Sequence, residues 1–261
     1  MKKVTIITSL YKAEKYLKSF LENMVKQTIF EDCELFLLDG NSPENEYEVI
    51  KPFLSHDNIR YERLEKDPGI YACWNYMIDN SDSKYITNAN VDDKLFPRAI
   101  EKHVEILDRF PMFDVSYCIN AVSNSHDETP EAMMSRLDIL DQNSIYNRLV
   151  NSETDSVFPT APFSKENMLI SNLPHNHPVW RRSVHNECGM FDSENYISGS
   201  DYDFWLRACI KFNRKFILIP EVLGIYYKNP EGMSTKEVNL DRNIKECKDI
   251  NDKYRSLYLK I

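Results

Sequence analysis

The sequence lacks several features that mark common classes of protein. Its six cysteines include no Cys-x-x-Cys pair, and its cysteines and histidines form no cluster with zinc-site spacing. No run approaches the ~18 apolar residues of a membrane-spanning helix, and the first apolar run, Val4–Thr8, is too short for a signal peptide. These absences favour a cytoplasmic protein with reduced thiols, and they leave membrane contact through a partner open.

Positive charge is also scarce. The 261 residues carry 32 Lys and Arg against 41 Asp and Glu, which gives a net charge of −9. Because nucleic acids and anionic membranes are bound by basic surfaces, neither is expected as a general partner. A phosphorylated ligand would need local positive charge, and a bound metal ion would supply it.

Glycine-rich phosphate-binding motifs are missing as well. The sequence contains no G-x-G-x-x-G, which argues against a dinucleotide-dependent oxidoreductase. The segment after the first apolar run, Thr8–Lys12, contains no glycine. A nucleotidyltransferase normally holds its triphosphate with a glycine-rich basic loop at this place, so this class is disfavoured.

The first 118 residues alternate between strand-like and helix-like patterns. Short β-branched and apolar runs predict strands at Val4–Thr8, Glu34–Asp39, Ile59–Leu64, Lys84–Asn90 and Met112–Cys118. Apolar residues at helical spacing predict helices at Ala13–Lys26, Pro43–Leu54, Ile70–Asp79 and from Lys94 through Leu107, with Pro97 in the first turn of the last. Repeating units of about 25–30 residues predict a parallel sheet with helices on both faces.

The second half is less regular. A polar loop is expected over 120–135, a helix over 137–150, and an irregular proline-containing segment that covers the sheet over 152–178. Later patterns predict a helix at Ser200–Phe212, strands at Lys215–Ile219 and Val222–Tyr227, and a polar helix over 235–258. The simplest organisation is one domain, 1–234, with halves 1–118 and 119–234, followed by a helical extension, 235–261.

Polar side chains follow three of the predicted strands. These segments are Thr8-Ser9-Leu10-Tyr11, Asp39-Gly40-Asn41-Ser42 and Asn90-Val91-Asp92-Asp93. In a parallel sheet such loops meet at one edge, where α/β proteins bind ligands. Together they suit a nucleotide, because an aromatic ring stacks on a base and a carboxylate accepts from a base N–H. Each segment taken alone is equally typical of a turn.

The adjacent acids Asp92 and Asp93 are the most informative pair. Two neighbouring carboxylates at a strand end repel each other. Mg²⁺ or Mn²⁺ relieves this repulsion, because these ions take oxygen ligands from one or two carboxylates and share the rest with water and substrate phosphates. The pair therefore predicts a metal-assisted phosphate site.

From Val4 to about Ser234 the chain resembles the family 2 glycosyltransferases of the GT-A fold. The similar segments are Val4–Leu17, Gln27-Thr28, Leu38–Ser42, Asp67–Asn75, Asn90–Asp93, Trp180–Ser183, Gly189–Asp192 and Gly199–Arg207. Their order and spacing carry the likeness. The resemblance implies an α/β GT-A fold, a Rossmann-like mixed and mostly parallel sheet with helices on both faces, plus a C-terminal helical extension.

The resemblance also implies roles for individual residues. Asp92 matches the metal-binding aspartate and Asp201 the catalytic base, while Asn90 replaces an aspartate of many members. The implied donor-side residues are Thr8, Ser9, Tyr11, Asp39, Gly69, Asn90, Val91, Asp92 and, near the diphosphate, Lys228. For Lys228 a solvated surface lysine is the alternative. The implied cofactor is Mn²⁺ or Mg²⁺, and the expected donor is a UDP-sugar.

The local sequence supports Asp201 independently. Ser200 is suited to an N-cap, and Asp203 three residues on gives a pattern like a capping box. Asp201 would then lie in the first helical turn, where the helix dipole favours its ionised form, as a base requires. Acids in first turns are also ordinary stabilising residues.

Four residues are candidates for the acceptor side: His175, His177, Trp180 and Trp205. Solvent exposure is the alternative for the histidines, and core packing is the alternative for the tryptophans. Tyr71 and Trp74 are expected to shape the donor pocket, with core packing again as the alternative.

The expected function is that of an inverting, metal-dependent hexosyl- or N-acetylhexosaminyltransferase. It would move a sugar to a hydroxyl of a glycan or lipid-linked acceptor in surface polysaccharide biosynthesis. The alternatives are a non-catalytic nucleotide- or glycan-binding relative and a nucleotidyltransferase. The sequence specifies neither the sugar, the acceptor nor the oligomeric state.

Overall fold

The structure is a computed structural model that describes residues 2–138, 145–150 and 156–260. The predicted helix over 137–150 and the predicted irregular segment over 152–178 fall partly outside these residues. The described strands are β1 (Val4–Leu10), β2 (Cys33–Asp39), β3 (Ile59–Arg63), β4 (Tyr85–Asn88), β5 (Lys94–Leu95), β6 (Val115–Ser123), β7 (Ser156–Val157), β8 (Val179–Arg181) and β9 (Phe216–Tyr227).

The described α-helices include the four predicted in the first half. They are α1 (Glu14–Met24), α2 (Glu46–Ile50), α3 (Ile70–Asp79), α4 (Ala99–Arg109), α5 (Pro130–Arg136), α6 (Ile145–Val150), α7 (Lys165–Ile170), α8 (Val184–Cys188), α9 (Ser200–Leu206) and α10 (Leu240–Tyr258). Short 3-10 turns lie at Phe30–Asp32, Lys51–Ser55 and Glu237–Asn239, and a π-helical turn at Arg207–Lys211 continues α9.

One sheet contains all the described strands, in the order β3-β2-β1-β4-β8-β6-β9-β5, with β7 beside β6. Strands β1 to β4 pair in parallel, as does β6 with β9. Strand β8 runs antiparallel between β4 and β6, and β5 runs antiparallel to β9. Most paired residues lie in the parallel ladders, so the predicted mixed, mostly parallel sheet is confirmed.

The sheet is buried on both faces because successive side chains of a strand point to opposite sides. In β2, Phe36 and Leu38 belong to the core cluster under α3, α9 and α10, whereas Leu35 and Leu37 belong to the cluster under α1 and α4. A slip of one residue in register would exchange the two sets. The predicted helices on both faces are confirmed.

The predicted helix start at Lys94–Pro97 is wrong. Lys94 and Leu95 form the edge strand β5, and α4 begins only at Ala99, so Pro97 precedes the helix. The backbone groups on the unpaired edge of β5 form hydrogen bonds with one side chain. Asn23 donates from Nδ2 to the Leu95 carbonyl at 2.9 Å and accepts from the Leu95 N–H at 2.8 Å. The side-chain amide of Asn23 thus makes the two hydrogen bonds that a neighbouring strand would make with Leu95.

Two more strands differ from prediction. Strand β6 continues past Cys118 to Ser123, into the predicted polar loop, and α5 follows from Pro130. The two strands predicted on either side of Pro220 are one strand, β9, whose register against β6 shifts between Cys118 and Asn120. Since proline donates no ladder hydrogen bond, this irregularity accommodates it within the strand.

The predicted C-terminal helix is present as α10 and packs closely on α9. Ile250 and Tyr254 are fully buried and join the core cluster that contains α3 and α9. Asp203 of α9 accepts from Lys253 Nζ at 2.6 Å and from Tyr254 Oη at 3.0 Å. None of the helices in the described part of the chain is long and apolar enough to span a membrane.

Candidate functional site

A cavity of about 1350 Å³ opens at the carboxyl ends of β1, β2 and β4. Leu10 at the end of β1 is the register partner of Asp39 at the end of β2, so the loops that follow these strands are neighbours. The loop after β4, the chain after α7, the chain before α9 and one side of α10 complete the wall. The predicted convergence of strand-end loops is therefore present.

Ser9, Tyr11 and Gly69 lie on the wall of this cavity. Tyr11 is 50% exposed, so a ligand in the cavity has access to its side chain. Lys12 turns the chain away with a φ of 54°, and its N–H donates to Ser42 Oγ at 2.9 Å. The first two strand-end loops are thereby joined beside the cavity.

Thr8 and Asp39 lie behind the wall, although the resemblance placed them on the nucleotide side. Both are fully buried. Asp39 accepts from the Ser42 N–H at 2.7 Å, from Tyr61 Oη at 2.9 Å and from Arg63 Nη1 at 2.6 Å. In this arrangement the carboxylate orders the loop and fixes Arg63, and its contact with a nucleotide base stays a prediction.

Arg63 is a candidate that sequence reasoning missed. Its guanidinium also donates to the Ser42 carbonyl at 2.7 Å and to Asn41 Oδ1 at 3.2 Å. The side chain is still 42% exposed, so it adds a fixed positive charge beside the loops that follow β1 and β2, although it does not line the cavity. The available signal was its position at the end of β3, one strand beyond Asp39 in the parallel order.

The two adjacent acids face different surroundings. Asp92 is partly exposed on the cavity wall and accepts from Asn229 Nδ2 at 2.9 Å. Asp93 is 2% exposed and accepts from the Tyr227 N–H at 2.9 Å and from the amides of Asn90 and Asn176 at 3.1 Å. Burial, and then the charge of Asp92, raise the pKa of Asp93 well above its usual range.

The residues around Asp92 fit a divalent cation that is shared with a substrate. The described part of the chain has no group of three or more His, Cys, Asp or Glu side chains placed to enclose a metal ion. Mg²⁺ and Mn²⁺ are commonly held by one or two carboxylates together with phosphates and water. Asp92, on the wall beside Asn90 and Asn229, provides one such carboxylate.

Asp201 lies in the first turn of α9, as predicted, and lines the same cavity. Its Oδ1 accepts from Tyr71 Oη at 3.0 Å and its Oδ2 from Asn172 Nδ2 at 2.8 Å. Burial raises the pKa of Asp201, while these two hydrogen bonds and the N–H groups of the helix start lower it. Desolvation outweighs the helix terminus.

The predicted capping box at Ser200 is wrong. The N-cap is Gly199, and Ser200 is the first helical residue. Asp203 does not return to the helix start, because its carboxylate is buried under Lys253 and Tyr254 of α10. The position of Asp201 in the first turn is unaffected.

His175 and His177 face different surroundings. His175 lines the cavity and stacks on Phe158, with ring centroids 3.7 Å apart. Burial lowers its pKa to about 4, so its imidazole is neutral at pH 7. His177 is only 2% exposed, lies 3.3 Å from Asn120 Oδ1 and does not line the cavity. His175 alone of the two is placed to meet a ligand there.

Trp180 and Trp205 belong to the core, so the predicted acceptor contact is wrong for both. They are 0% and 1% exposed and pack edge to face, with ring centroids 5.4 Å apart. Tyr71 and Trp74, each 7% exposed, do line the cavity.

Lys228 is exposed and lies off the described cavity wall. The next residue, Asn229, is the one that reaches Asp92. The cations on the wall are Lys12, Lys236, Arg242, Lys248 and Arg255. Four of these come from α10 and the segment before it, which the sequence presented only as a polar helix.

The family model described as "Glycosyl transferase family 2" matches residues 5–168, more than half of the chain. The chain therefore belongs to glycosyltransferase family 2, and the family resemblance is confirmed. A similar curated protein is "Putative glycosyltransferase EpsE" of Bacillus subtilis, 27% identical over 115 residues. That alignment covers 43% of this chain and 41% of EpsE, so the chain matches less than half of that relative.

Solved structures support the fold. TarS of S. aureus in complex with UDP has a TM-score of 0.68 at 16% identity, over 97% of this chain and 65% of that one. A mannosyltransferase from Pyrobaculum calidifontis in complex with GDP-Man and Mn²⁺ has a TM-score of 0.67 at 12% identity, over 95% and 63%. The expected GT-A architecture is confirmed.

Proposed function

We propose that this protein transfers a sugar from a nucleotide sugar to an acceptor hydroxyl, with inversion at the anomeric carbon. One observation carries the proposal. A single cavity brings together the nucleotide-side loops, Asp92 and a carboxylate, Asp201, whose two oxygens are each held by a hydrogen-bond donor. Asp201 is thereby fixed in orientation while it faces the space where an acceptor would lie.

Asp201 acts as the general base in this proposal. It takes the proton of the acceptor hydroxyl while that oxygen forms a bond to the anomeric carbon. The bond from that carbon to the diphosphate breaks, and its electron pair stays on the phosphate oxygen. Attack opposite the leaving group inverts the centre, as a single displacement requires.

Asp92 would hold the divalent ion, Mn²⁺ or Mg²⁺, at the diphosphate side. When bound, the ion supplies Lewis-acid neutralisation of the leaving group's charge. Asn229 donates to Asp92 Oδ2, and Asp93 fixes Asn90, so the loop that presents Asp92 is ordered by its neighbours. Lys12 and Lys236 on the wall supply further positive charge.

The donor is proposed to be a UDP-sugar, a hexose or N-acetylhexosamine. The UDP bound in the TarS structure supports uridine, whereas the GDP-Man complex makes guanosine the nucleotide to test against it. The acceptor is proposed to be a glycan or lipid-linked hydroxyl of a surface polysaccharide, reached from the cytoplasm. Five buried free cysteines suit a reducing compartment.

A donor screen tests this proposal directly. UDP-glucose, UDP-N-acetylglucosamine and GDP-mannose are each added with and without Mn²⁺, and melting temperature and nucleotide release are measured. We expect a UDP-sugar to raise the melting temperature with Mn²⁺, because a ligand that binds only the folded state stabilises it. No stabilisation and no release with any donor would contradict the proposal.

The base is tested by Asp201→Asn. With the stabilising donor and an acceptor, we expect a loss of turnover of about 100- to 10,000-fold with donor binding retained. A turnover close to that of the unmodified protein would show that the base is elsewhere. If the protein is instead a non-catalytic binding relative, the unmodified protein should bind the donor without turnover. Membership of glycosyltransferase family 2 disfavours the other alternative, a nucleotidyltransferase.

A further inference from the structure

Tyr71 of α3 contacts two acceptors with one hydroxyl. Its Oη lies 2.7 Å from the Ser198 carbonyl oxygen and 3.0 Å from Asp201 Oδ1. A tyrosine hydroxyl has one proton and can also accept, so it donates to only one of these groups at a time. The choice depends on the charge of Asp201.

The ionised form of Asp201 can only accept. Tyr71 then donates to Oδ1, because a hydrogen bond to a carboxylate is stronger than one to a peptide carbonyl. A protonated Asp201 can donate from Oδ1 to Tyr71 Oη, and the tyrosine proton then turns to the Ser198 carbonyl. Burial keeps Tyr71 itself neutral, since it raises the pKa of this phenol well above its usual range.

The Ser198 carbonyl is held in place by α10. Glu246 accepts from the N–H groups of Ser198 at 2.9 Å and Gly199 at 3.0 Å, and from the Ile197 N–H at 3.2 Å. On the other side of Asp201, Asn172 donates to Oδ2 and stops the carboxylate from rotating. Both possible partners of the Tyr71 proton are therefore fixed.

We propose that Tyr71 is a positioning residue for Asp201 whose hydroxyl reverses its hydrogen bond when Asp201 takes up the acceptor proton. Both protonation states of the base are then satisfied without movement of the backbone. This inference rests on the proposed function, in which Asp201 is the base.

Other titratable groups face Asp201 from α10. Hydrogen bonds from Ser198 and its neighbours outweigh burial and lower the pKa of Glu246, so Glu246 stays ionised around neutral pH. Burial raises the pKa of Cys247, so its thiol stays neutral. On the cavity wall, His175 is neutral above pH 5, because burial lowers its pKa to about 4. Glu246, Cys247 and His175 therefore keep their charge between pH 5 and 9, whereas burial raises the pKa of Asp201.

The test is a double-mutant cycle in melting temperature. Tyr71→Phe is measured from pH 4 to pH 9 in the unmodified protein and in Asp201→Asn, because the pKa of Asp201 is raised from its ordinary value of 3.8. We expect a larger loss of melting temperature at high pH than at low pH, because the hydroxyl matters most when Asp201 is ionised. In the Asp201→Asn background the loss should not vary with pH.

The control is Tyr76→Phe on the same helix. Tyr76 Oη donates to Glu62 at 2.8 Å, but this pair lies at the surface away from the cavity. Its removal should give a small loss that is constant over this pH range. Asn172→Ala removes the other donor to Asp201 and should repeat the pH dependence of Tyr71→Phe, which covers the case that Tyr71→Phe folds poorly.

A loss that is constant with pH for both Tyr71→Phe and Asn172→Ala would overturn the inference. So would an equal pH dependence in the Asp201→Asn background. Turnover of Asp201→Asn is measured separately. A near-normal turnover there would remove the proposed base and leave the outcome of the cycle unchanged, so the two failures are distinguishable.

Discussion

Asp92 and Asp93 are neighbours in sequence whose side chains lie in different environments. Asp92 is open to the cavity, while Asp93 is enclosed by three donors that come from separate parts of the chain. A buried carboxylate that already accepts three hydrogen bonds, of about four that it can accept, has little capacity left for a metal ion. This difference is the basis for proposing Asp92 as the metal ligand and Asp93 as a support for its loop.

The first prediction at the residue scale concerns Asp92. The substitution Asp92→Ala removes the carboxylate that would hold the divalent ion. We expect Mn²⁺ to stop increasing the affinity for UDP, as measured by isothermal titration calorimetry. The exposed acid Asp241 provides the control, since Asp241→Ala should leave the titration unchanged. An unaltered response to Mn²⁺ in Asp92→Ala would exclude Asp92 as the ligand.

The second residue-scale prediction concerns His103, which is 1% exposed and 2.8 Å from Ser116 Oγ. Burial lowers its pKa from 6.5 to about 3. The unfolded chain therefore binds this proton first, and stability is lost as the pH falls from about 6.5 toward 3. His103→Gln removes this titrating group, so its free energy of unfolding should fall less steeply with falling pH, by about 1 kcal/mol per pH unit between pH 7 and 5 and at most about 1.4 kcal/mol per unit below that.

Urea denaturation at pH 7, 6 and 5 measures this slope. His56→Gln, at a partly exposed histidine, is the matched control and should keep the slope of the unmodified protein. Equal slopes for His103→Gln and the unmodified protein would contradict the prediction.

The sequence predicts which elements carry the reactive side chains. It does not predict in which direction a side chain points. The position of Asp92 after a strand and the position of Asp201 in the first turn of a helix followed from the sequence. Whether Trp180 points into the core or into the cavity depends on packing between α8, α9 and the sheet, which one sequence does not display. Asn229 was hidden for a similar reason, because its partner Asp92 is distant in the chain.

At the scale of elements, β6 and β9 are the longest described strands, and they pair with each other in the part of the sheet between β8 and β5. Gly224 in β9 lies against the side chains of Asn120 and His177. A Cβ atom at this position would overlap Asn120 Oδ1 and lie 2.7 Å from His177 Nδ1. This close approach makes glycine necessary within the strand.

Gly224→Ala is therefore expected to lower the free energy of unfolding by about 1–3 kcal/mol, as overpacking of a tight core does. Urea denaturation measures the change. At Gly40, the nearest atom to a new Cβ is Asp67 Oδ1 at 3.3 Å, on a side chain that can move. Gly40→Ala should accordingly cost less. The prediction fails if the two substitutions have equal effects.

The parallel half of the fold was predictable because its buried strands and amphipathic helices have clear periods. The second half was harder to predict. Strand β5 has two residues, β8 has three, and β9 contains a proline, so none shows the pattern of an ordinary strand. Their pairing depends on contacts between residues far apart in the chain. It also depends on side chains such as Asn23, which bond a strand edge that has no neighbouring strand.

At the scale of the whole molecule, α10 is attached to the rest of the domain by polar contacts as well as by its buried side chains Ile250 and Tyr254. Glu246 receives three N–H groups from the chain before α9, so the segment that presents Asp201 is attached to a helix near the end of the described residues. Sequence reasoning treated 235–261 as an extension. The contacts show that α10 is also part of the cavity wall.

The thiols provide a test of the whole packing. Among the six free cysteines only Cys247 is exposed, and it lines the cavity. Burial raises the pKa of four others, Cys33, Cys73, Cys118 and Cys209, to about 12. We expect one thiol to react with Ellman's reagent in the folded protein and six in urea. Cys247→Ser should abolish the reaction of the folded form, and several fast thiols would contradict the packing.

The three partners of Asp93 also determine when the ligand-binding edge can form during synthesis. Strands β1 to β4 lie within the first 88 residues, so they can pair while the ribosome is still translating the second half. Asp93 by contrast awaits Asn176 and the backbone of Tyr227. Such distant contacts close slowly and late. A nascent chain that stops before residue 227 would therefore hold the paired strands β1 to β4 and an unfinished cavity wall around Asp92 and Asp93.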